Sequence, residues 1–429
     1  MSEIRPRDIA PGVRLCAIPA SRFKTSRLLL QMALPLRRGQ PAQTAANALL
    51  PYLLHRSCAR YPTPRALKSR LAELYGAHLG AHVEKRGETQ LLTIALTAID
   101  DRFALEQESI AQGCAELLLD LLFAPALEGD AFPSKNIDLE KRLLIEQLES
   151  EEGNKWRHAA NRCEALMCSQ EAYSLNPLGE KEAIAALTTE EITLAWRRAL
   201  ETAQMQFTLV SDSDGTAVYD ALMQRFAGQA RSPVELYSEF IPVAGEEKFV
   251  REEQPIEQAK LFIGFRAGMK DERDHQYAMR VMTDLFGGGP YSKLFLNVRE
   301  KMSLCYACSA RLERLKGLLF VRAGVDTAKA AEARDAILEQ LKLLQEGEFT
   351  DEELDTSKRS LRDSFLTVGD TPESLAAWYS TGLLTGEYPA PEDLCARMDA
   401  VTRDEVIAAA QGVSLDTVYL LAARKEGDE

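Results

Sequence analysis

The sequence predicts an α+β fold made of two homologous halves, each a mostly antiparallel sheet packed with helices. The chain has 429 residues, which is more than one hydrophobic core usually holds. Segments with strand and helix periodicity alternate along it. The same series of segments then occurs a second time, about 210–230 residues later. Length, alternation and repetition together indicate two similar α+β halves rather than one large domain.

Six pairs of segments carry the repeat, and they follow the same order in both halves. The pairs are two apolar strands (27–40 and 259–272), two further strands (85–98 and 313–326), two long helices (105–123 and 330–347), two charged helices (139–152 and 351–366), two shorter helices (186–200 and 400–413) and two closing strands (206–212 and 417–423). In the shorter helices a threonine or aspartate precedes acidic first-turn residues, which is typical of a helix N-terminus. A chance origin is improbable for six pairs in one order.

The repeat sets the predicted boundaries of the halves. The first half covers residues 1–225 and the second covers residues 245–429. Residues 226–244 mix glycine, proline and charged side chains, a composition typical of a connecting segment. We therefore expect a linker there.

Composition argues against nucleic-acid and membrane partners. The formal net charge is −14, which disfavours binding to anionic polymers and anionic lipid surfaces. No apolar run is long enough to span a bilayer, and the first residues lack the apolar stretch of a secretion signal. The eight cysteines lie mostly in apolar segments, which predicts buried thiols in a reducing, cytoplasmic compartment. Cys305 and Cys308 form a C-x-x-C, but without a second pair buried thiols are favoured over a redox or zinc role.

The segment PYLLH, residues 51–55, closes a predicted apolar helix and contains a single histidine. A helix with the motif H-x-x-E-H can hold zinc with its two histidines and activate water with its glutamate. Here Pro51 and Leu54 stand where the first histidine and the glutamate would be. Catalytic zinc needs three protein ligands, so His55 alone cannot hold it. The sequence therefore predicts a degenerate motif, no catalytic residue and no metal ligand.

The segments around this motif resemble the pitrilysin/insulinase family of inverted zinc proteases, which includes the mitochondrial processing peptidases. The similarity lies in the run after His55 (56–77), the helix at 137–150 and the turn NPLG at 176–179. The resemblance implies a clamshell of two halves with the zinc motif at residues 51–55. It also places the family's third zinc ligand near Asp138 or Glu140.

A second segment, residues 287–310, resembles the family pattern in which a glycine-rich start precedes an arginine and a tyrosine. Arg299 and Tyr306 fall on the pair that contacts bound substrate in active members. A guanidinium offers several donors to peptide carbonyls, and a tyrosine hydroxyl can donate one hydrogen bond. The resemblance therefore implies substrate binding by Arg299 and Tyr306. The alternative is a surface ion pair for Arg299 and a place in the sheet core for Tyr306.

The remaining histidines do not replace the missing zinc ligands. His78 and His82 lie four residues apart in a segment that reads as a strand. Four residues of strand span about 13 Å, which is too far for one metal ion. His158 and His275 each stand alone in or beside a predicted helix.

Three functions remain open. The preferred one is a non-catalytic peptidase-like subunit without a cofactor, which binds a peptide or unfolded polypeptide beside a catalytic homologue or as a homodimer. A second is an active zinc metalloendopeptidase with an atypical or shared site. A third is a structural assembly protein that binds no peptide. The first is preferred because the segment with Arg299 and Tyr306 is kept while the zinc motif is lost.

Overall fold

The computed structural model describes residues 4–271, 273 and 275–424. The strands of this part are β1 (Arg7–Ala10), β2 (Val13–Pro19), β3 (Thr25–Pro35), β4 (His78–Arg86), β5 (Thr89–Ile99), β6 (Gln204–Ser211), β7 (Lys248–Gln254), β8 (Ala259–Arg266), β9 (Cys305–Glu313), β10 (Leu318–Val325) and β11 (Ser414–Ala423). The α-helices are α1 (Pro41–Leu54), α2 (Pro64–Glu73), α3 (Ile110–Phe123), α4 (Ser134–Gly153), α5 (Lys155–Met167), α6 (Lys181–Ala186), α7 (Thr189–Thr202), α8 (Thr216–Phe226), α9 (Gln276–Gly287), α10 (Ala330–Gln345), α11 (Asp351–Leu366), α12 (Pro372–Ser380), α13 (Gly382–Thr385), α14 (Pro391–Ala400) and α15 (Arg403–Gln411). None of the helices in these ranges combines the length and the apolarity needed to cross a membrane.

The two sheets share one topology. The first has the strand order β1-β2-β6-β3-β5-β4, and the second has the order β7-β11-β8-β10-β9. Neighbouring strands are antiparallel, except that β2 runs parallel to β6 and β7 runs parallel to β11. When β1 is set aside, the two orders correspond strand for strand. The predicted fold class, two homologous α+β halves with mostly antiparallel sheets, is therefore confirmed.

The central strands of the first sheet are buried on both faces. Leu15 and Leu209 belong to the main core, which also contains the leucines of α1 and α3. The next residues along the same strands, Cys16 and Val210, pack instead with Tyr379 of α12. Successive side chains of a strand point to opposite faces, so helices on both faces require the nearly continuous apolar runs of these strands.

Two compact units are present, and neither is continuous in sequence. The first comprises Met1–Leu148, Leu175–Tyr237 and Thr367–Pro391, and the second comprises Glu149–Ser174, Ser238–Leu366 and Glu392–Glu429. Helix α5 packs on β8 and β11, whereas α12 packs on the corresponding strands β3 and β6. The predicted halves, 1–225 and 245–429, describe the sequence repeat and do not coincide with these units, because each half contributes helical segments to the other unit. Between α8 and β7, residues 227–247 form neither helix nor strand, and they include most of the predicted linker.

A buried group of four charges fixes the segment after α5 to the second sheet. Glu171 lies 2.7 Å from Arg266 Nη2 and 2.6 Å from Lys316 Nζ, and Arg266 Nε donates to Asp416 at 2.9 Å. All four side chains are almost completely buried. Burial by itself would raise the pKa of Glu171, but the hydrogen bonds and charges of Lys316 and Arg266 outweigh burial and lower it. The cluster holds together because the charges are paired.

Candidate functional site

The degenerate motif lies at the C-terminal end of α1. Pro51 is inside the helix and buried, and it supplies no N–H to the helical hydrogen bonds. Leu54 is fully buried and belongs to the main core of the first unit. Neither side chain has an atom that could bind a metal ion or accept a proton. The two positions that a zinc protease uses for chemistry therefore serve packing here.

His55 caps the end of the same helix. Its Nδ1 lies 2.7 Å from the backbone oxygen of Tyr52, and its ring meets the Tyr52 ring edge-on at 6.5 Å. A carbonyl oxygen can only accept a hydrogen bond, so Nδ1 carries the proton. Only Nε2 of a neutral His55 then remains as a possible ligand atom.

An ion pair joins α4 to the residue after His55. Arg56 Nη1 lies 2.5 Å from Glu140 Oε1, and the carboxylate side chain is only 5% exposed. Glu140 is one of the two residues that the family resemblance places near the third zinc ligand. Its negative charge is balanced here by a guanidinium that belongs to the protein. A charge-assisted pair of this kind occupies the carboxylate that a metal would need.

The residues around positions 51–55 do not fit a zinc ion. Pro51 and Leu54 lack ligand atoms, and Glu140 is held by Arg56. Throughout residues 4–271, 273 and 275–424, no group of three or more His, Cys, Asp or Glu side chains could hold a metal ion. His78 and His82 lie on strand β4, as predicted. We therefore derive no hydrolytic step at this location.

Arg299 and Tyr306 line one concavity of the second unit, with a volume of about 360 Å³. Arg299 lies on a π-helical turn, Leu294–Lys301, and Tyr306 is the second residue of β9. Other residues of the wall include Glu300, Cys305, Asp326 and Lys329. The sequence prediction named both residues, and the structure brings them together.

The surroundings of the pair match one half of the alternative, a surface ion pair for Arg299, but not the other half, a core place for Tyr306. Tyr306 is 65% exposed, so it does not lie in the sheet core. The Arg299 guanidinium stacks on the ring of Phe295 at 4.3 Å, and its Nε lies 3.5 Å from Glu300. The arginine is therefore held in place by its own helical turn, while both side chains remain open to solvent.

Sequence reasoning did not find the Arg56–Glu140 pair or the strand bulge between Cys305 and Cys308. Arg56 directly follows the degenerate motif, and a cation next to a lost metal site is a signal that could have suggested a substitute for the metal charge. The sequence shows the C-x-x-C of Cys305 and Cys308, but the register that brings both residues to one face depends on the pairing of β9 with β10.

Comparisons with known proteins agree with the loss of the zinc site at residues 51–55. The family model described as "Peptidase M16 inactive domain" matches residues 186–361. The chain is 31% identical over 411 residues to the "Probable inactive metalloprotease YmfF" of Bacillus subtilis, a match that covers 96% of each chain. It is 24% identical over 299 residues to an uncharacterized zinc protease of Streptomyces coelicolor, covering 67% of this chain and 64% of that one.

Solved structures show the same fold. A conserved protein from Enterococcus faecalis has a TM-score of 0.90 at 24% identity, with all of both chains covered. A peptidase M16 inactive domain from Pseudomonas fluorescens has a TM-score of 0.80 at 17% identity, with 98% of each chain covered.

The family model and the Bacillus relative confirm the predicted family, and both descriptions contain the word inactive. They also confirm the prediction of an inactive homologue of zinc metalloendopeptidases. With a packed Pro51 and Leu54 and a Glu140 paired to Arg56, the chain belongs to the peptidase M16, or pitrilysin/insulinase, family as an inactive, peptidase-like member.

Proposed function

We propose that this chain is a non-catalytic subunit that binds an extended peptide or unfolded polypeptide at the concavity containing Arg299 and Tyr306. One observation carries the proposal: the two side chains line the same concavity, and Tyr306 is 65% exposed there. A large aromatic side chain on a strand is ordinarily packed, and tyrosine is enriched at binding surfaces.

The chemistry of the concavity suits a peptide backbone. Strand β9 stands at the end of its sheet, so one row of its backbone groups is not used by a neighbouring strand of that sheet. An extended peptide can add to such an edge. The Arg299 guanidinium can then donate to peptide carbonyl oxygens, and the Tyr306 hydroxyl can donate to a further one.

We further propose that a homologue with an intact H-x-x-E-H supplies catalysis and that the two work in the cytoplasm. The proposal is supported by the loss of metal ligands in this chain, beside a retained Arg299 and Tyr306. All eight cysteines are buried free thiols, which suits a reducing compartment. A homodimer is the alternative assembly.

Fluorescence anisotropy with a labelled, unstructured peptide tests the binding step. Arg299→Ala removes charge-assisted hydrogen bonds and should weaken binding by roughly 10- to 100-fold. Tyr306→Phe removes one neutral hydrogen bond and should weaken binding by roughly 2- to 10-fold.

Arg334→Ala provides the matched control. Arg334 also pairs with the next residue, at 2.7 Å, and also stacks on a phenylalanine ring, at 5.8 Å, but it does not line the concavity. Its affinity for the peptide should match that of the wild type. Equal affinities for wild type, Arg299→Ala and Tyr306→Phe would assign the pair a structural role.

The partner is tested by mixing this chain with a homologue that has an intact zinc motif. We expect peptide cleavage by the homologue to rise when wild-type chain is added, and to rise less with Arg299→Ala. Cleavage by this chain alone that a chelator abolishes would instead support the metalloendopeptidase alternative.

A further inference from the structure

Strand β9 contains a bulge that brings two cysteines to one face of the sheet. Cys308 pairs with Ala323 of β10, and Cys305 pairs with Val325, while the register shifts between them. Tyr306 is the extra residue at this shift. Residues three apart in a regular strand point to opposite faces, but one extra residue restores the same face.

The geometry is close to that of a disulfide. The partners on β10 are two residues apart, so the Cα atoms of Cys305 and Cys308 are separated by about 6.6 Å. Disulfides join Cα atoms about 4.4–6.8 Å apart. The two thiols also affect each other, since Cys308 lowers the pKa of Cys305 and Cys305 raises the pKa of Cys308. Side chains on one face of a strand keep about the spacing of their Cα atoms, whereas a disulfide holds Cβ atoms about 3.5–4.5 Å apart, so the bond requires the bulge to tighten by about 2–3 Å.

Two features favour Cys305 over Cys308 as the thiol that reacts first. It lines the concavity of about 360 Å³, which a small solute can enter. A hydrogen bond with Cys308 lowers the pKa of the Cys305 thiol, burial opposes this, and the charge of Arg299 adds to the lowering. The same hydrogen bond, together with burial, raises the pKa of Cys308.

The other cysteines differ in this respect. Burial raises the pKa of each of the remaining six, which are Cys16, Cys58, Cys114, Cys163, Cys168 and Cys395. The thiolate is the reacting species, and a raised pKa lowers the fraction of thiolate. These six thiols should therefore stay unreacted under conditions in which Cys305 reacts.

We propose that Cys305 and Cys308 are a redox pair, which hydrogen peroxide oxidises to an intrachain disulfide and a dithiol reduces again. The Cys305 thiolate attacks one peroxide oxygen, the O–O bond breaks, and the leaving hydroxide takes up the Cys305 proton as water. Cys308 then attacks the resulting sulfenic sulfur, the S–O bond breaks, and the second hydroxide leaves as water with the Cys308 proton. The two thiols are oxidised and the peroxide is reduced.

The disulfide closes across the bulge from which Tyr306 projects. Oxidation therefore fixes the backbone that carries this tyrosine. The placement of both cysteines on one face follows from the register of β9 and β10, so it does not depend on whether the concavity binds peptide.

A single tryptic peptide reports the reaction. Trypsin cleaves after Lys301 and after Arg311, and the peptide 302–311 between these cuts contains both cysteines and no internal cleavage site. The full chain is treated with hydrogen peroxide, alkylated, digested and analysed by mass spectrometry. We expect unalkylated peptide 302–311 with a mass about 2 Da below that of the dithiol, reversed by dithiothreitol. This wild-type measurement needs no variant to fold.

Variants assign the roles of the two sulfurs. Cys308→Ser should stop at a sulfenic acid that dimedone traps on Cys305, and Cys395→Ser should behave like the wild type. Cys305 should react at least about tenfold faster than any of the other six cysteines. A peptide 302–311 that remains a dithiol while those six oxidise, or dimedone labelling mainly elsewhere, would overturn the proposal.

Discussion

Glu171→Gln should lower the free energy of unfolding of the second unit by about 3–5 kcal/mol, the usual cost of breaking a buried ion pair. Glu171 is only 2% exposed and contacts Arg266 at 2.7 Å and Lys316 at 2.6 Å. Glutamine keeps the shape of the side chain but removes its charge. Asp416 would then be the one acidic side chain of the group facing two buried cations. A whole domain is stable by only about 5–15 kcal/mol, so the loss is readily measured.

Urea unfolding gives the total loss, and hydrogen exchange gives its location. Protection should fall most in residues 149–174, the segment that Glu171 fixes to the second sheet. Glu253→Gln is the matched control, because its carboxylate lies 2.8 Å from Arg251 while both side chains are more than 40% exposed. Such a surface pair is worth less than about 1 kcal/mol.

The pH dependence of the loss provides a second check. Burial would raise the pKa of Glu171, but Arg266 and Lys316 lower it in the native state. The contribution of Glu171 is therefore present above its unfolded-state pKa of about 4.3 and lost as the pH falls through the lower native value. The difference between wild type and Glu171→Gln should shrink in acid. A loss below about 1 kcal/mol at pH 7, or one that grows as the pH falls, would refute this reasoning.

Three further outcomes are expected. Arg56→Met should cost about 2–4 kcal/mol because it leaves the buried Glu140 carboxylate unpaired, and adding Glu140→Met should recover most of it in urea unfolding. Burial raises the pKa of Asp284 to about 6, so the native state favours the protonated carboxyl. The contribution of Asp284 to stability is therefore full below its unfolded-state pKa of about 3.9 and is lost as the pH rises through the native pKa. Asp284→Asn should therefore stabilise the chain by about 1–3 kcal/mol at pH 8 and change little near pH 4, as thermal unfolding can show. Gly179→Ala should cost about 2–4 kcal/mol of stability, because φ is +87° and the new Cβ would come within 2.9 Å of the α1 backbone. Gly39→Ala should cost only about 1 kcal/mol, because φ is +76° there but the new Cβ would meet open space.

Local patterns in the sequence were sufficient for most of the fold. Thr188 and Thr402 begin corresponding helices, and each forms a capping box with a glutamate three residues later. These contacts lie within one helical turn, so they are visible in the sequence. The order of such segments in the two halves then predicts the shared topology of the two sheets.

The candidate site was only partly predictable. Pro51 and Leu54 could be recognised because their places in a helical motif are fixed by short spacing. The partner of Arg56 is Glu140, 84 residues away, and spacing carries no information about it. Likewise, the exposure of Tyr306 depends on a bulge that exists only in the pairing of β9 with β10.

The sequence by itself determined the α+β class, the repeat and the loss of the zinc motif, because periodicity, helix capping and motif spacing act over a few residues. Only the tertiary structure decided which sheet each helix covers, with α5 from the first half on β8 and β11 and α12 from the second half on β3 and β6. It also decided which charges are paired and which thiols meet. These outcomes depend on the free energy of burying apolar faces and charges together, and the groups that are buried together lie far apart in the chain.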